Sequence, residues 1–353
     1  MRPLYWLLVF FPIALLAEIT QLDDLALFVT SALAIIPLAG LLGEATESVA
    51  DKTGPRLGGL LNATLGNAAE LIIALVAINA GQMQLVLASL TGSILGNLLF
   101  VLGFAMFLGG LKNGRQFFDR RNVSIDAIMT VLAVIAIIVP SLFNHYIEPD
   151  KLRVEELSLA TACVIVVLYL LFIIYTIRNC DSDSCESAAM KDSAAVHPWS
   201  AKKAILMMIL SMAGIVVMSE FLVGSIEAAT KYLGLTPFFV GIIVVPIIGN
   251  VAEHLVAVTA ARQNKMDLSL SIALGSSLQI ALFVTPILVF ASLILGNPLT
   301  LEFNQLEMIT LMAASLIAAL VSLDGESNWL EGAMLLALYS ILGLAFFFLP
   351  PGL

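Results

Sequence analysis

Stretches of about 20 apolar residues, the length a helix needs to cross the hydrocarbon core of a bilayer, dominate this chain. They fall near 3–21, 26–50, 57–80, 84–110, 122–143, 154–178, 203–230, 236–262, 268–295, 304–323 and 329–349, eleven in all. With 60% of its 353 residues hydrophobic and only 12% charged, the chain cannot build the polar surface of a soluble domain. Hydrocarbon leaves backbone amides no partner but each other, so each stretch must be helical or part of a closed barrel. No series of alternating, turn-separated segments suggests a barrel. The expected fold is an all-α integral membrane protein with about 11 transmembrane helices, its partner the lipid bilayer. Arg2 and the apolar run after it also resemble a signal peptide, but "LLAEIT" offers no small-x-small cleavage site, so the first stretch is read as a retained helix.

Basic residues set the expected orientation. With a cytoplasmic N-terminus, one face collects Arg2, Lys52, Arg56, Lys112, Arg115, Arg120, Arg121, Arg178, Lys191, Lys202, Lys203, Arg262 and Lys265, and the other only Lys151, Arg153 and Lys231. That asymmetry accounts for all 16 basic residues and fits an odd number of spans. The net charge of -10 gives no reason to expect nucleic acid as a partner. Cys163, Cys180 and Cys185 have no metal-ligand spacing and are read as structural or incidental. Short loops and the absence of targeting extensions favour a prokaryotic cell membrane. The sequence leaves the oligomeric state open, a homo-oligomer included.

Two of the apolar stretches contain a carboxylate where none is cheap: "GNAAE", Gly66 to Glu70, and "GNVAE", Gly249 to Glu253. The offset of 183 between them aligns residues 44–103 with 227–286 without gaps, and 19 of 60 positions are identical. Apolar composition inflates such a count, so the informative matches are polar or glycine: Glu44 with Glu227, Gly58 with Gly241, Gly92-Ser93 with Gly275-Ser276, and the motifs themselves. The copies begin at the second and seventh stretches, an odd number of crossings apart, so one is inverted. Inverted repeats are the mark of secondary transporters, with a substrate site near the midplane where the halves meet. The expected organisation is a first helix and outer loop (1–24), an N-terminal five-helix repeat (25–178), a polar Ser-rich cytoplasmic linker (179–200) and an inverted five-helix repeat (201–353).

On a helix, residues three and four apart share a face, so Gly66, Asn67, Glu70 and Ala74 form a small-and-polar stripe, matched by Gly249, Asn250, Glu253 and Ala257. Glutamate and asparagine supply hard oxygen ligands, and glycine gives access to carbonyls. Ser93, Ser276 and Gln279 on the following stretches are positioned to complete a shell. Two carboxylates with amides and carbonyls suit Ca2+ better than Mg2+, which holds its water in a strict octahedron. Two carboxylates crowded in low dielectric do not both stay ionised once the metal leaves, so protons compete for the same groups. That competition is itself an exchange mechanism, with Ca2+ transported, H+ as coupling ion and no organic cofactor.

The pair "GNAAEL" and "GNVAEH", followed by "GSILGN" and "GSSLQI", resembles the two α-repeats of the calcium/proton exchanger family within the calcium/cation antiporter superfamily, over residues 26–349. The resemblance implies a central metal site on Glu70 and Glu253, with the second and seventh helices sliding during alternating access. It also implies a proton-coupling role for His254, which on a helix points about 100° from Glu253 and otherwise bonds a neighbouring carbonyl. Glu44 and Glu227, nearer helix ends, are candidate access or gating carboxylates. The linker departs from the family's strongly acidic helix, with only Asp181, Asp183, Glu186 and Asp192 scattered along it.

No HExxH, GxGxxG, Walker loop or intramembrane Gly-Asp pair is present, so no enzyme or ATP-driven pump is expected. Exchange of Ca2+ for Na+ or another cation is the alternative, and a carboxylate-lined cation channel a more distant one.

Overall fold

The computed structural model describes residues 2–53, 58, 61, 62, 64–146, 151–178 and 199–349. Most of the linker expected at 179–200, with Cys180, Cys185 and its acidic residues, lies outside the described residues, as do Arg56 and Lys191.

A 3-10 segment Arg2–Val9 runs into α1 (Phe10–Ile19), followed by α2 (Asp24–Thr53), α3 (Ala68–Asn79), α4 (Met83–Asn113), α5 (Arg120–Tyr146) and α6 (Lys151–Arg178). After the linker come α7 (Ala201–Leu233), α8 (Pro237–Arg262), α9 (Met266–Ile294), α10 (Gln305–Val321) and α11 (Trp329–Phe347). Eight of these, α2, α4 to α9 and α11, are long and apolar enough to cross a bilayer.

The other three expected spans are shorter, each for a visible reason. α1 is only the second half of its apolar run, the first half being wound as 3-10 helix. α3 starts late because Gly66 and Asn67 form a turn, so the stripe expected on one continuous helix is broken at its first two members. α10 starts late because residues 297–304 have no regular secondary structure. Backbone without a helix survives among apolar helices only where protein satisfies it. Here the Leu299 amide donates to Ser292 Oγ at 2.8 Å, the Leu301 amide to Ser158 Oγ at 3.0 Å and the Phe303 amide to Ser141 Oγ at 2.8 Å.

Among the described residues three helices contain a turn of π-helix, at Gly96–Val101 in α4, Val240–Val244 in α8 and Ile280–Val284 in α9. The first and third lie at matched positions under the offset of 183, apart from one residue at the start. In α8 and α9 the wide turn precedes Pro246 and Pro286, whose missing N–H leaves a carbonyl one turn back without its helical donor. Thr285 Oγ1 donates to the Ile280 carbonyl at 2.8 Å beside one such break.

The halves interlock. α2 and α7 pack together more extensively than any other pair, and α8 lies against α2, α3 and α4. At one end of the bundle β1 (Gln116–Phe117) pairs antiparallel with β2 (Glu326–Ser327), and the Lys52 ammonium donates to the Trp199 carbonyl. At the other, Asn297 reaches the end of α3, and Ser141 Oγ donates to the Leu301 carbonyl at 2.7 Å.

Candidate cation site

The two motifs meet where α3 and α8 cross. Glu70 stands in the first turn of α3, immediately after the Gly66-Asn67 turn, where the helix dipole favours negative charge. Glu253 lies inside the continuous helix α8. Each carboxylate reaches over the other copy's glycine. A methyl group placed on Gly249 would lie 3.5 Å from Glu70 Oε1, and one placed on Gly66 would lie 3.7 Å from both Glu253 Oε1 and Gln279 Oε1. Small residues at 66 and 249 therefore bring both carboxylates against backbone, as the spacing alone suggests but does not show.

The amides and hydroxyls repeat the crossing. Ser276 Oγ donates to Asn67 Oδ1 at 3.1 Å, and Asn250 Nδ2 donates to Ser93 Oγ at 3.3 Å. Under the offset of 183 these are the same pair, each copy's asparagine bonded to the other copy's serine. Asn67 Nδ2 donates to Gln279 Oε1 at 2.6 Å, and Asn250 Nδ2 also to the Pro246 carbonyl at 3.0 Å. All four asparagine and serine side chains are buried, and Glu70 is only 8% exposed.

Three buried oxygens here lack a hydrogen-bond donor: Glu70 Oε2, Glu253 Oε2 and Asn250 Oδ1. Leaving such acceptors bare in an apolar interior is costly, and a cation is the partner that satisfies several acceptors at once. No group of three or more His, Cys, Asp or Glu among the described residues could hold a metal ion, so two carboxylates must be supplemented by neutral oxygens. That donor set fits a hard cation such as Ca2+, with its flexible oxygen shell.

The structure thus brings together Glu70, Glu253, Asn67, Asn250, Gly66, Gly249, Ser93, Ser276 and Gln279. It places His254 apart from them: the ring is buried 6.1 Å from that of Phe100 in the π turn of α4, with no partner on Nε2. The neighbouring carbonyl expected for it is therefore not engaged through that nitrogen. Glu44 is half-buried on α2 and Glu227 exposed on α7, outside the constellation.

Two further polar side chains are bonded between helices. Asn97, in the π turn, donates to Ser276 Oγ at 3.0 Å and so orients the serine toward Asn67. Glu307 is another deeply buried carboxylate, 3% exposed, whose Oε1 accepts from Thr91 Oγ1 at 3.2 Å. The "NQLE" pattern from Asn304 to Glu307 was a legible capping-box signal, and the box is formed.

A sequence profile of the sodium/calcium exchanger protein family matches residues 24–178 and 203–348. The chain is 46% identical over 362 aligned positions to the Ca(2+)/H(+) antiporter of Aphanothece halophytica, covering 98% of this chain and 96% of that one. It is 38% identical to the Ca(2+)/H(+) antiporter ChaA of Bacillus subtilis (strain 168), over 96% of both chains. The solved structure of native YfkE superposes with a TM-score of 0.84 at 35% identity, over 98% of this chain and 99% of that one.

Proposed function

The chain belongs to the sodium/calcium exchanger protein family, and on that premise we propose that it is a Ca2+/H+ antiporter that uses the proton gradient to extrude Ca2+ from the cytoplasm. The observation that carries the reading is the reciprocal site: two carboxylates crossing over each other's glycines, each with one buried oxygen that has no hydrogen-bond donor. Ca2+ binds between Glu70 and Glu253, with Asn67, Asn250, Ser93, Ser276 and Gln279 supplying or steering neutral oxygens. When the ion leaves, protons take its place on the carboxylates, because an empty, doubly charged site in a dry interior is unfavourable. That neutralisation lets the empty transporter reset without carrying its bare charge across.

The architecture that serves this cycle is one lone helix and two inverted five-helix repeats, eleven crossings with the N-terminus in the cytoplasm of a prokaryotic cell. The crossed Asn–Ser pairs support it, since an approximate two-fold relation between copies makes each contact occur twice. So does the clustering of basic residues: Lys112, Arg115, Arg120, Lys202, Arg262 and Lys265 lie at helix ends that the orientation places on one face. Glu44 and Glu227 guard the two approaches, and His254 takes part in proton coupling beside α4. Cation movement needs no bond making or breaking, so no enzymatic step is assigned.

The test is ⁴⁵Ca2+ uptake into proteoliposomes under imposed gradients. A proton gradient should drive saturable uptake. Uptake driven by a Na+ gradient at clamped pH would move the assignment to Na+/Ca2+ exchange, and conduction without any counter-ion would favour a channel.

A further inference from the structure

The ends of the two carboxylate-bearing helices are held in the same way. α3 and α8 each finish in a left-handed residue, Gly81 at φ 75° and Asn264 at φ 63°, whose amide donates back to Ile78 and Ala261 respectively, at 2.9 and 3.0 Å. In both helices the same carbonyl also accepts from a side-chain amide of the opposite half. Asn297 Nδ2, just after α9, donates to the Ile78 carbonyl at 3.1 Å. Gln116 Nε2, just after α4, donates to the Ala261 carbonyl at 2.8 Å, joined by Asn113 Nδ2 at 3.1 Å. Ile78 and Ala261 are separated by the same offset of 183 as the glutamates.

Each clamp is mounted on fixed backbone. Asn297 opens the irregular segment pinned by Ser292, Ser158 and Ser141. Gln116 is 1% exposed and lies in the β1–β2 pair, and its Nε2 also reaches Asn264 Oδ1 at 3.0 Å. Gly109 leaves the room it needs, since a methyl there would overlap Gln116 Oε1.

Glu70 precedes Ile78, and Glu253 precedes Ala261, by eight residues, about 12 Å along a helix. α3 depends on its clamp most. Its near end is the Gly66-Asn67 turn, which breaks the helical register between Leu65 and Ala68, so α3 is not one unbroken helix with the residues before it. We propose that Asn297 and Gln116 are positioning residues for the ion site: by holding the far ends of α3 and α8 to the opposite half, they set the depth at which Glu70 and Glu253 cross. The motif helices then stay with the scaffold throughout the cycle. The inference rests on the antiport reading, and exchange by the unmodified protein in the same vesicles tests that reading separately.

The experiment compares Asn297→Asp, Asn297→Leu, Asn297→Gln and Gln116→Met by Ca2+-concentration dependence of proton-driven ⁴⁵Ca2+ uptake. Aspartate keeps the size of asparagine but has no donor, so with leucine and Gln116→Met it should raise KM about five- to tenfold with maximal rate per folded protein little changed. Asn297→Gln retains an amide donor and should stay within about twofold of the unmodified KM. A loop that merely aids folding would lower the maximal rate at constant KM and would not separate Asp from Gln, and that pattern overturns the proposal. Independently, Ile78→Cys with Asn297→Cys, in a background lacking Cys163, Cys180 and Cys185, is joined through two mixed disulfides by a short bis-methanethiosulfonate reagent, each thiolate displacing a sulfinate. Exchange that survives cross-linking is expected; abolition by the link, restored on reduction, would show that α3 must leave its clamp and would also overturn the proposal.

Discussion

Replacing Glu70 by glutamine keeps the shape of the side chain and removes its charge and its capacity to exchange a proton. At an effective dielectric of about 20 and a ligand distance of about 2.4 Å, one carboxylate attracts a divalent ion by roughly 14 kcal/mol. Stripping water from the ion and holding a second carboxylate nearby offset most of that. If only about a third survives as net binding, the loss is still roughly 4–5 kcal/mol, or three orders of magnitude in affinity. The 8% exposure of Glu70 leaves little room for solvent to compensate. Both Glu70→Gln and Glu253→Gln should therefore fold and insert, yet take up no more ⁴⁵Ca2+ than protein-free liposomes. Glu70→Asp separates charge from reach: its carboxylate withdraws by about 1.5 Å, one carbon–carbon bond. Glu70 Oε1 now stands 3.5 Å from the position a methyl would take on Gly249, so the shortened side chain no longer spans the crossing. It should retain exchange with KM raised at least about tenfold, the cost of a misplaced charged ligand. Near-normal uptake by either glutamine variant would refute the two-carboxylate site outright.

Because protons and Ca2+ compete for the same carboxylates, apparent Ca2+ affinity should fall as pH drops, by roughly tenfold per pH unit for each competing proton, and a KM flat with pH would contradict the coupling. Cysteines placed beside Glu44 and Glu227, in a background lacking Cys163, Cys180 and Cys185, should label reciprocally with membrane-impermeant thiol reagents as Ca2+ and pH are varied; full, simultaneous labelling of both would favour a channel. A methyl on Gly92 would overlap the Ile242 carbonyl, whereas one on its repeat mate Gly275 meets nothing within 4 Å. Gly92→Ala should therefore cost about 1–3 kcal/mol of thermal stability in detergent and Gly275→Ala none, so equal melting shifts would contradict the packing. The buried Glu307 should tolerate glutamine poorly, because the capping box loses its anion at the first turn of α10; a fall of a few degrees in Tm is expected and an unchanged Tm would count against the capping role.

Hydropathy is a local property, so the sequence by itself determined the membrane class and the positions of the apolar stretches. An internal repeat is likewise read along one dimension, and the offset of 183 brought Glu70 and Glu253, Asn67 and Asn250, and Ser93 and Ser276 to notice as pairs. Which partner each side chain meets is a different kind of fact. Asn67 bonds Ser276 and not Ser93, and Glu70 lies over Gly249 and not over a glycine of its own copy, because the helices cross between copies. Identical local sequence even takes two conformations: Gly66-Asn67 is a turn, while Gly249-Asn250 continues a helix. The clamps of Asn297 and Gln116 had no legible signal, since a polar residue after a helix reads only as loop. What makes them clamps is a carbonyl more than a hundred residues away, with a spare lone pair that only the packed structure brings within 3.1 Å.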